Sequence, residues 1–311
     1  MAVNDDPSTI SDHRIWVADP SSRLAQAIER GGGTPTNDPT GVTGVVWTGK
    51  DLSELRDLLT PAVEWLQLPS AGIERYVAAG VVEPTRTNTC AGPAYAKTVA
   101  EHALALMLAC SRRLPTYSRA RRWERVEISS VLGATVAIVG CGRIGRALID
   151  LLGPFQARIL ACNRSGRPVE GATQTGDMAF VDRAIEQADF VVVAAPATPE
   201  TKGLIGKRQL ERMPSNAYLI NIARGSLVDT DALVGALRAG SIAGAALDVT
   251  DPEPLPDGHP LWELDRALIT PHVANPDAWD EKQLVGLVEE NVRRFLAGEE
   301  LLGVVDPARG Y

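Results

Sequence analysis

The chain has 311 residues, 45% hydrophobic and 23% charged, with 28 glycines and 21 prolines, enough for two modest domains that each bury a core. Its net charge of −8 favours solubility and argues against nucleic acid as a general partner. No uncharged apolar run approaches the roughly 18–20 residues of a membrane helix, and the polar, acidic opening "MAVNDDPSTISDH" does not resemble a signal peptide, so no membrane association is expected.

In chain order, residues 13–19 ("HRIWVAD") read as a strand, followed by a helix over about 21–31 that ends at Gly31-Gly32-Gly33. "GVVWTG" (44–49) is a second strand, "LSELRDLL" a helix, and "VEWLQL" (63–68) a third strand. Alternating strands and helices predict a small parallel-sheet domain. "AKTVAEHALALMLACSRRL" (96–114) is apolar around much of its circumference and reads as a buried helix leading into a second domain. The basic run 111–127 ("SRRLPTYSRARRWERVE") reads as a solvated or subunit-facing helix.

From 134 onward come the apolar runs "ATVAIVG", "ARILACN", "ADFVVVAAP", "AYLINIA", "AGAALDV" and "ALITP", each ending in turn or polar residues. Runs apolar on both faces predict a parallel sheet covered by helices on each side. Residues 276–300 alternate Leu/Val faces with charge and read as a long amphipathic helix. The four cysteines (Cys90, Cys110, Cys141, Cys162) have no paired or metal-like spacing, which suits reduced thiols in a cytoplasm. No cluster of His, Cys, Asp or Glu has metal spacing, so no metal is expected.

Gly140-x-Gly142-x-x-Gly145 follows a strand and opens a helix. In that context Gly140 permits the tight turn, Gly142 lets the backbone approach a pyrophosphate, and Gly145 lets the helix pack on the strand. The helix N-terminus then offers N–H groups and partial positive charge to the phosphates. Arg143 and Ile144 fill the turn, and Arg143 is within reach of a phosphate. An acid closing the next strand would bind the adenosine ribose and repel a 2′-phosphate. Between Asp150 and Glu170 there is none. Asn163, Arg164, Ser165 and Arg167 offer guanidinium and neutral hydrogen-bonding groups instead, which favours NADP(H) over NAD(H).

Arg224, Glu253 and His272 each follow a later strand. In an open parallel sheet the ligand crevice lies beyond the carboxyl ends of the strands, so the three are expected to face one site. Singly, each has an ordinary structural explanation; the set does not. The stretches "VAEHALALMLACSRR", "GCGRIGRAL", "AAPATPETKGLI", "INIARGSLVD", "GAALDVTDPEPLP", "HPLW" and "LITPHVA" occur in one order, and through them the chain resembles the NAD(P)-dependent D-2-hydroxyacid dehydrogenases over almost its whole length.

The resemblance implies an α/β enzyme of two Rossmann-like lobes. One is a doubly wound dinucleotide-binding domain over 98–274, and the other a smaller flavodoxin-like substrate domain formed by 1–97 plus 275–311. It places the catalytic arginine on Arg224, the glutamate on Glu253, the histidine on His272 and the acid that binds the nicotinamide carboxamide on Asp248. The substrate carboxylate falls to Ser70, Ala71, Gly72 and Arg224, with further cofactor contacts at Ala195, Pro196, Thr201, Ile222, Ala223 and His272. It also implies a homodimer built through the cofactor lobes and the arm around 104–125.

These residue types suit the reduction of a 2-oxo acid. An imidazole, with an ordinary pKa near 6.5, can protonate the carbonyl oxygen. A carboxylate on its far nitrogen fixes the tautomer, and a guanidinium can fork onto the substrate carboxylate. Glyoxylate or hydroxypyruvate lead as substrates, with phosphoglycerate as the alternative. A non-catalytic dinucleotide-sensing protein and a hydrolase of the adenosylhomocysteine type are rival readings. Departures from the family pattern fall at Asn275-Pro276, at Thr250 and in the loop "PSAGIERY", where they would alter substrate choice. His13, His102 and His259 take structural readings, and Cys141 reads as a small filler.

Overall fold

A computed structural model describes residues 13–311; the N-terminal stretch read as polar and acidic lies almost wholly outside them. The elements are β1 (Arg14–Trp16), α1 (Arg23–Arg30), β2 (Thr34–Thr36), β3 (Gly44–Val46), α2 (Leu52–Leu58), β4 (Trp65–Gln67), α3 (Glu74–Ala78), β5 (Thr87–Thr89), α4 (Gly92–Ser111) and α5 (Leu114–Arg119). They continue with β6 (Thr135–Val139), α6 (Arg143–Leu152), β7 (Arg158–Cys162), β8 (Gln174–Gly176), α7 (Val181–Ile185) and β9 (Phe190–Val193). Last come α8 (Lys207–Arg212), β10 (Tyr218–Asn221), α9 (Thr230–Ala239), β11 (Gly244–Leu247), β12 (Ala267–Ile269) and α10 (Asp277–Leu296). They form two compact units, one running to Ala94 and resuming at Asp277–Tyr311, the other Tyr95–Pro276.

The first unit carries a five-stranded parallel sheet in the order β2-β1-β3-β4-β5, the flavodoxin-like order. Trp16 and Trp47 stack with ring centroids 5.7 Å apart, and Trp65 is fully buried. The Ser22 hydroxyl caps α1 by accepting from Ala25 N–H. Helix α10, distant in sequence, is tied in by Asn291. Its amide donates to Gln67 Oε1 at 2.9 Å and Leu302 O at 3.0 Å, and its carbonyl accepts from Leu302 N–H at 2.7 Å.

The second unit holds seven parallel strands in the order β12-β11-β10-β9-β6-β7-β8. Strand order reverses between β6 and β9, the doubly wound arrangement in which ligands bind beyond the carboxyl ends. The inner strands are buried on both faces, as "FVVV" of β9 shows. Each fully buried Val or Leu contributes about 1.5–3 kcal/mol.

One expectation is corrected. The run 111–127 is helical only as far as Arg119: α4 ends at Ser111, and 120–130 form neither helix nor strand. Arg113 adopts a left-handed conformation (φ 52°), and Pro115 cannot supply the N–H that a continuous helix would need.

Candidate active site

Because the sheet of the second unit is parallel throughout, the carboxyl ends of β6, β7, β9, β10, β11 and β12 open on one side. They carry, in turn, Gly140–Gly145, Asn163–Arg167, Ala195-Pro196, Ile222–Arg224, Asp248–Glu253 and His272.

The three glycines have different roles. Gly140 lies at φ 94°, and a Cβ there would stand 2.3 Å from the backbone of Ala195, so it allows β6 and β9 to close at the switch point. At Gly145 a Cβ would meet Cys141 Sγ at 2.9 Å and Ile138 at 3.0 Å, which seats α6 on the sheet. At Gly142 a Cβ would meet nothing within 4 Å. Gly142 is also the N-cap of α6, with no side chain capping the first turn, so the turn is open for a phosphate beside Arg143 and Ile144. Burial pushes the Cys141 thiol up to about 11 and that of Cys162 up to about 12, which makes both poor nucleophiles.

After β7, Asn163 organises its loop. Its Oδ1 accepts from Ser165 N–H and Oγ–H, both at 3.1 Å, and its amide donates to Arg167 O at 2.8 Å. Arg164 and Arg167 are exposed on that loop. Asp177, just past β8, lies against Gly166, where an added Cβ would meet Asp177 N at 3.4 Å. Sequence reasoning looked for an acid at the end of β7 and missed this neighbour beyond the edge strand. Ala195 is buried, and Thr201 Oγ–H donates to Pro196 O at 2.7 Å, closing the loop after β9.

Buried Asn221 holds the turn that follows β10. Its Oδ1 accepts from Ala223 N–H at 3.1 Å, and its amide donates to Arg224 O at 3.0 Å. Ile222 and Ala223 are buried, Arg224 half-buried with Nη1 donating to Ala223 O at 2.7 Å. Gly225 follows because a Cβ there would fall 1.9 Å from the Thr250 carbonyl. The Arg224 turn and the segment leading to Glu253 therefore pack backbone to backbone.

Glu253 and His272 are brought together, with Oε1 2.6 Å from Nδ1 and both side chains partly exposed. Nε2 is the ring nitrogen that Glu253 does not engage. His272 stands at φ 53°, unusual for a residue with a Cβ. Asp248 is 2% exposed and accepts from Thr270 Oγ–H at 2.6 Å and from Val273 and Ala274 N–H, each at 3.0 Å. His102 Nε2 lies 3.2 Å from Asp248 Oδ1 and 3.0 Å from Thr270 Oγ1. Burial opposes ionisation of Asp248, but the bonds from His102, Thr270, Val273 and Ala274 outweigh it and hold the carboxyl at about 2.

Ser70, Ala71 and Gly72 belong to the first unit, in the loop after β4, where Ser70 Oγ–H donates to Gly72 O at 2.6 Å. His259 caps a short turn by accepting from Leu261 N–H at 3.2 Å. Among the described residues, no group of three or more His, Cys, Asp or Glu could hold a metal ion, and no helix is long and apolar enough to cross a membrane.

Comparison with known proteins adds relatives to this geometry. The profile of a family described as "D-isomer specific 2-hydroxyacid dehydrogenase, NAD binding domain" matches residues 104–274. An uncharacterized protein in the proB 3′ region of Corynebacterium melassecola is 42% identical over 256 residues, 80% of this chain and 84% of that one. A human glyoxylate reductase/hydroxypyruvate reductase is 37% identical over 213 residues, 66% of this chain and 65% of that one. A crystal structure of a D-isomer specific 2-hydroxyacid dehydrogenase from Xanthobacter autotrophicus Py2, in complex with NADPH and MES, superposes with a TM-score of 0.83 at 30% identity, covering 96% of this chain and 99% of that one. The match spans 41% of the length of mycobacterial D-3-phosphoglycerate dehydrogenases and 62% of a glyoxylate reductase from Thermofilum pendens.

Proposed function

The chain belongs to the D-isomer specific 2-hydroxyacid dehydrogenases, and on that premise we propose that it reduces a small 2-oxo acid, glyoxylate or hydroxypyruvate first, with NADP(H) preferred over NAD(H) and no metal. The observation that carries this reading is the 2.6 Å pairing of Glu253 with His272 beyond the sheet's carboxyl edge. The nicotinamide supplies the hydride when bound. His272, kept in one tautomer by Glu253, gives a proton from Nε2 to the carbonyl oxygen. Arg224 orients the substrate carboxylate, and the N–H groups of Ala71 and Gly72, next to Ser70, are assigned to the same carboxylate. The cofactor is assigned to Gly140–Gly145, Asn163–Arg167, Ala195, Pro196, Thr201 and Ile222–Arg224, with Asp248 and His272 toward the nicotinamide. Residues 98–274 are proposed as the cofactor domain, and 1–97 with 275–311 as the substrate domain.

The preference for NADP(H) is supported by exposed Arg164 and Arg167 on the loop that Asn163 braces, and by the NADPH complex of the Xanthobacter relative. The glyoxylate reductases among the relatives support the substrate choice. Phosphoglycerate oxidation is the second reading, favoured by 37% identity to the mycobacterial enzymes over 218 residues. The protein is further proposed to be cytoplasmic and homodimeric.

The test is an NADPH-oxidation screen against about a dozen 2-oxo acids, repeated with NADH and run in reverse with 3-phosphoglycerate. Turnover of glyoxylate or hydroxypyruvate with NADPH is expected, falling by a factor of order 10² or more in His272→Asn. Full activity in that variant, or cofactor binding with no turnover of any acid, would refute the reading.

A further inference from the structure

We propose that His102 is a positioning residue: from α4 it completes a buried clamp around the Asp248 carboxylate that holds the segment 270–274, and with it the left-handed backbone of His272, in place. The inference rests on the dehydrogenase reading only in giving His272 the proton transfer.

A histidine at φ 53° leaves the left-handed region unless its neighbours hold it there. Here His272 N–H donates to Asp248 O at 2.8 Å and to Thr270 O at 3.0 Å. The next two N–H groups, of Val273 and Ala274, both donate to the Asp248 side chain at 3.0 Å. One residue at the end of β11 thus receives three consecutive amides of the segment, one on its carbonyl and two on its carboxylate.

The carboxylate must itself be held, because it is 2% exposed and water does not orient it. Thr270 supplies its hydroxyl hydrogen to Asp248 Oδ1 at 2.6 Å. With that hydrogen used, Thr270 Oγ1 can only accept from His102 Nε2, 3.0 Å away. Nε2 therefore carries a proton, and the same nitrogen lies 3.2 Å from Asp248 Oδ1. The tautomer follows from the donors available. Four positions earlier on α4, the Thr98 hydroxyl donates to Asn275 Oδ1, so α4 grips the segment at both ends. This gives Asn275, which departs from the family pattern, a structural partner. Asp248, matched by resemblance to a carboxamide-binding role, also has its side chain engaged with the segment that carries His272.

The test compares full-length His102→Leu, which removes the donor, with His102→Gln, whose amide nitrogen can donate from about the same place. Three quantities are read: kcat with NADPH and the best 2-oxo acid, NADPH Kd by fluorescence titration, and amide exchange at Val273 and Ala274. In His102→Leu, kcat is expected to fall tenfold or more with Kd unchanged within twofold. Exchange at the two amides should quicken at least tenfold while β6 stays protected. His102→Gln should return kcat to within about threefold of the starting protein. If His102→Leu does not fold, His102→Asn, polar but too short to reach Asp248, replaces it under the same criteria. Unchanged kcat and exchange would overturn the clamp, as would parallel losses of kcat, Kd and β6 protection in both variants. If the unsubstituted protein turns over no 2-oxo acid, the dehydrogenase reading fails, and exchange at Val273 and Ala274 alone decides the clamp.

Discussion

Asp248 shows how one residue can be legible in type and hidden in role. The family resemblance marked it as a site residue, yet three of its four side-chain donors lie 22 to 26 positions away and the fourth, His102, sits on a helix across the unit. No local pattern encodes those partners. His102 takes a structural reading from sequence because it lies on a buried helix. The hydrogen bonds give Asp248 a stability effect with a definite sign. Its folded pKa of about 2 lies below the ordinary value of 3.8, so the contribution is complete above about pH 4 and is lost as pH falls through 2. A shift of this size corresponds to about 2–3 kcal/mol. Asp248→Asn should therefore lower the urea midpoint strongly at pH 7, and its deficit against the parent protein should shrink between pH 4 and pH 2. A deficit that stayed constant across that range would mean that the carboxylate charge is not the stabilising feature.

Three strands that sequence reasoning overlooked share a cause. β2 ("TPT"), β5 ("TNT") and β8 ("QTG") are three-residue polar strands, and each lies at a sheet edge. An edge strand is covered on fewer sides, so it can do without an apolar run, and these three leave none to find. The inner strands of the second unit, buried on both faces, were all visible as such runs. The glycine turn between β6 and α6 was equally legible as a motif, with Gly142 expected to serve the ligand and Gly140 and Gly145 the packing of turn and helix. The structure separates them, and a paired substitution tests the separation. Gly140→Ala, forced to φ 94° and 2.3 Å from Ala195, should cost about 2 kcal/mol or more and lower Tm. Gly142→Ala has open space and negative φ, so Tm should stay within about a degree while NADPH Kd rises tenfold or more. Retained affinity in Gly142→Ala would remove the pyrophosphate from this turn.

For the whole molecule, the proposed homodimer has its physical basis in the arm that follows α4. Over 114–132 the chain exposes Leu114 (53%), Trp123 (99%), Ile128 (45%) and Leu132 (62%). Scattered apolar side chains on a surface need no explanation, but a succession of them on a short segment without helix or strand from 120 to 130 is what an interface leaves uncovered. Arg119, Arg121 and Arg122 interleave with them, the rim composition that subunit contacts favour, and with the overall acidic balance they offer charge complementarity to a second copy. Sedimentation at micromolar concentration should therefore give about twice the 33.2 kDa chain mass. Trp123→Asp should shift the protein toward the monomer and leave the Tm of the cofactor-binding sheet little changed, because Trp123 touches none of that core. A monomer in the unsubstituted protein, or a dimer that Trp123→Asp leaves intact together with Leu132→Asp, would show that the arm does not carry the interface.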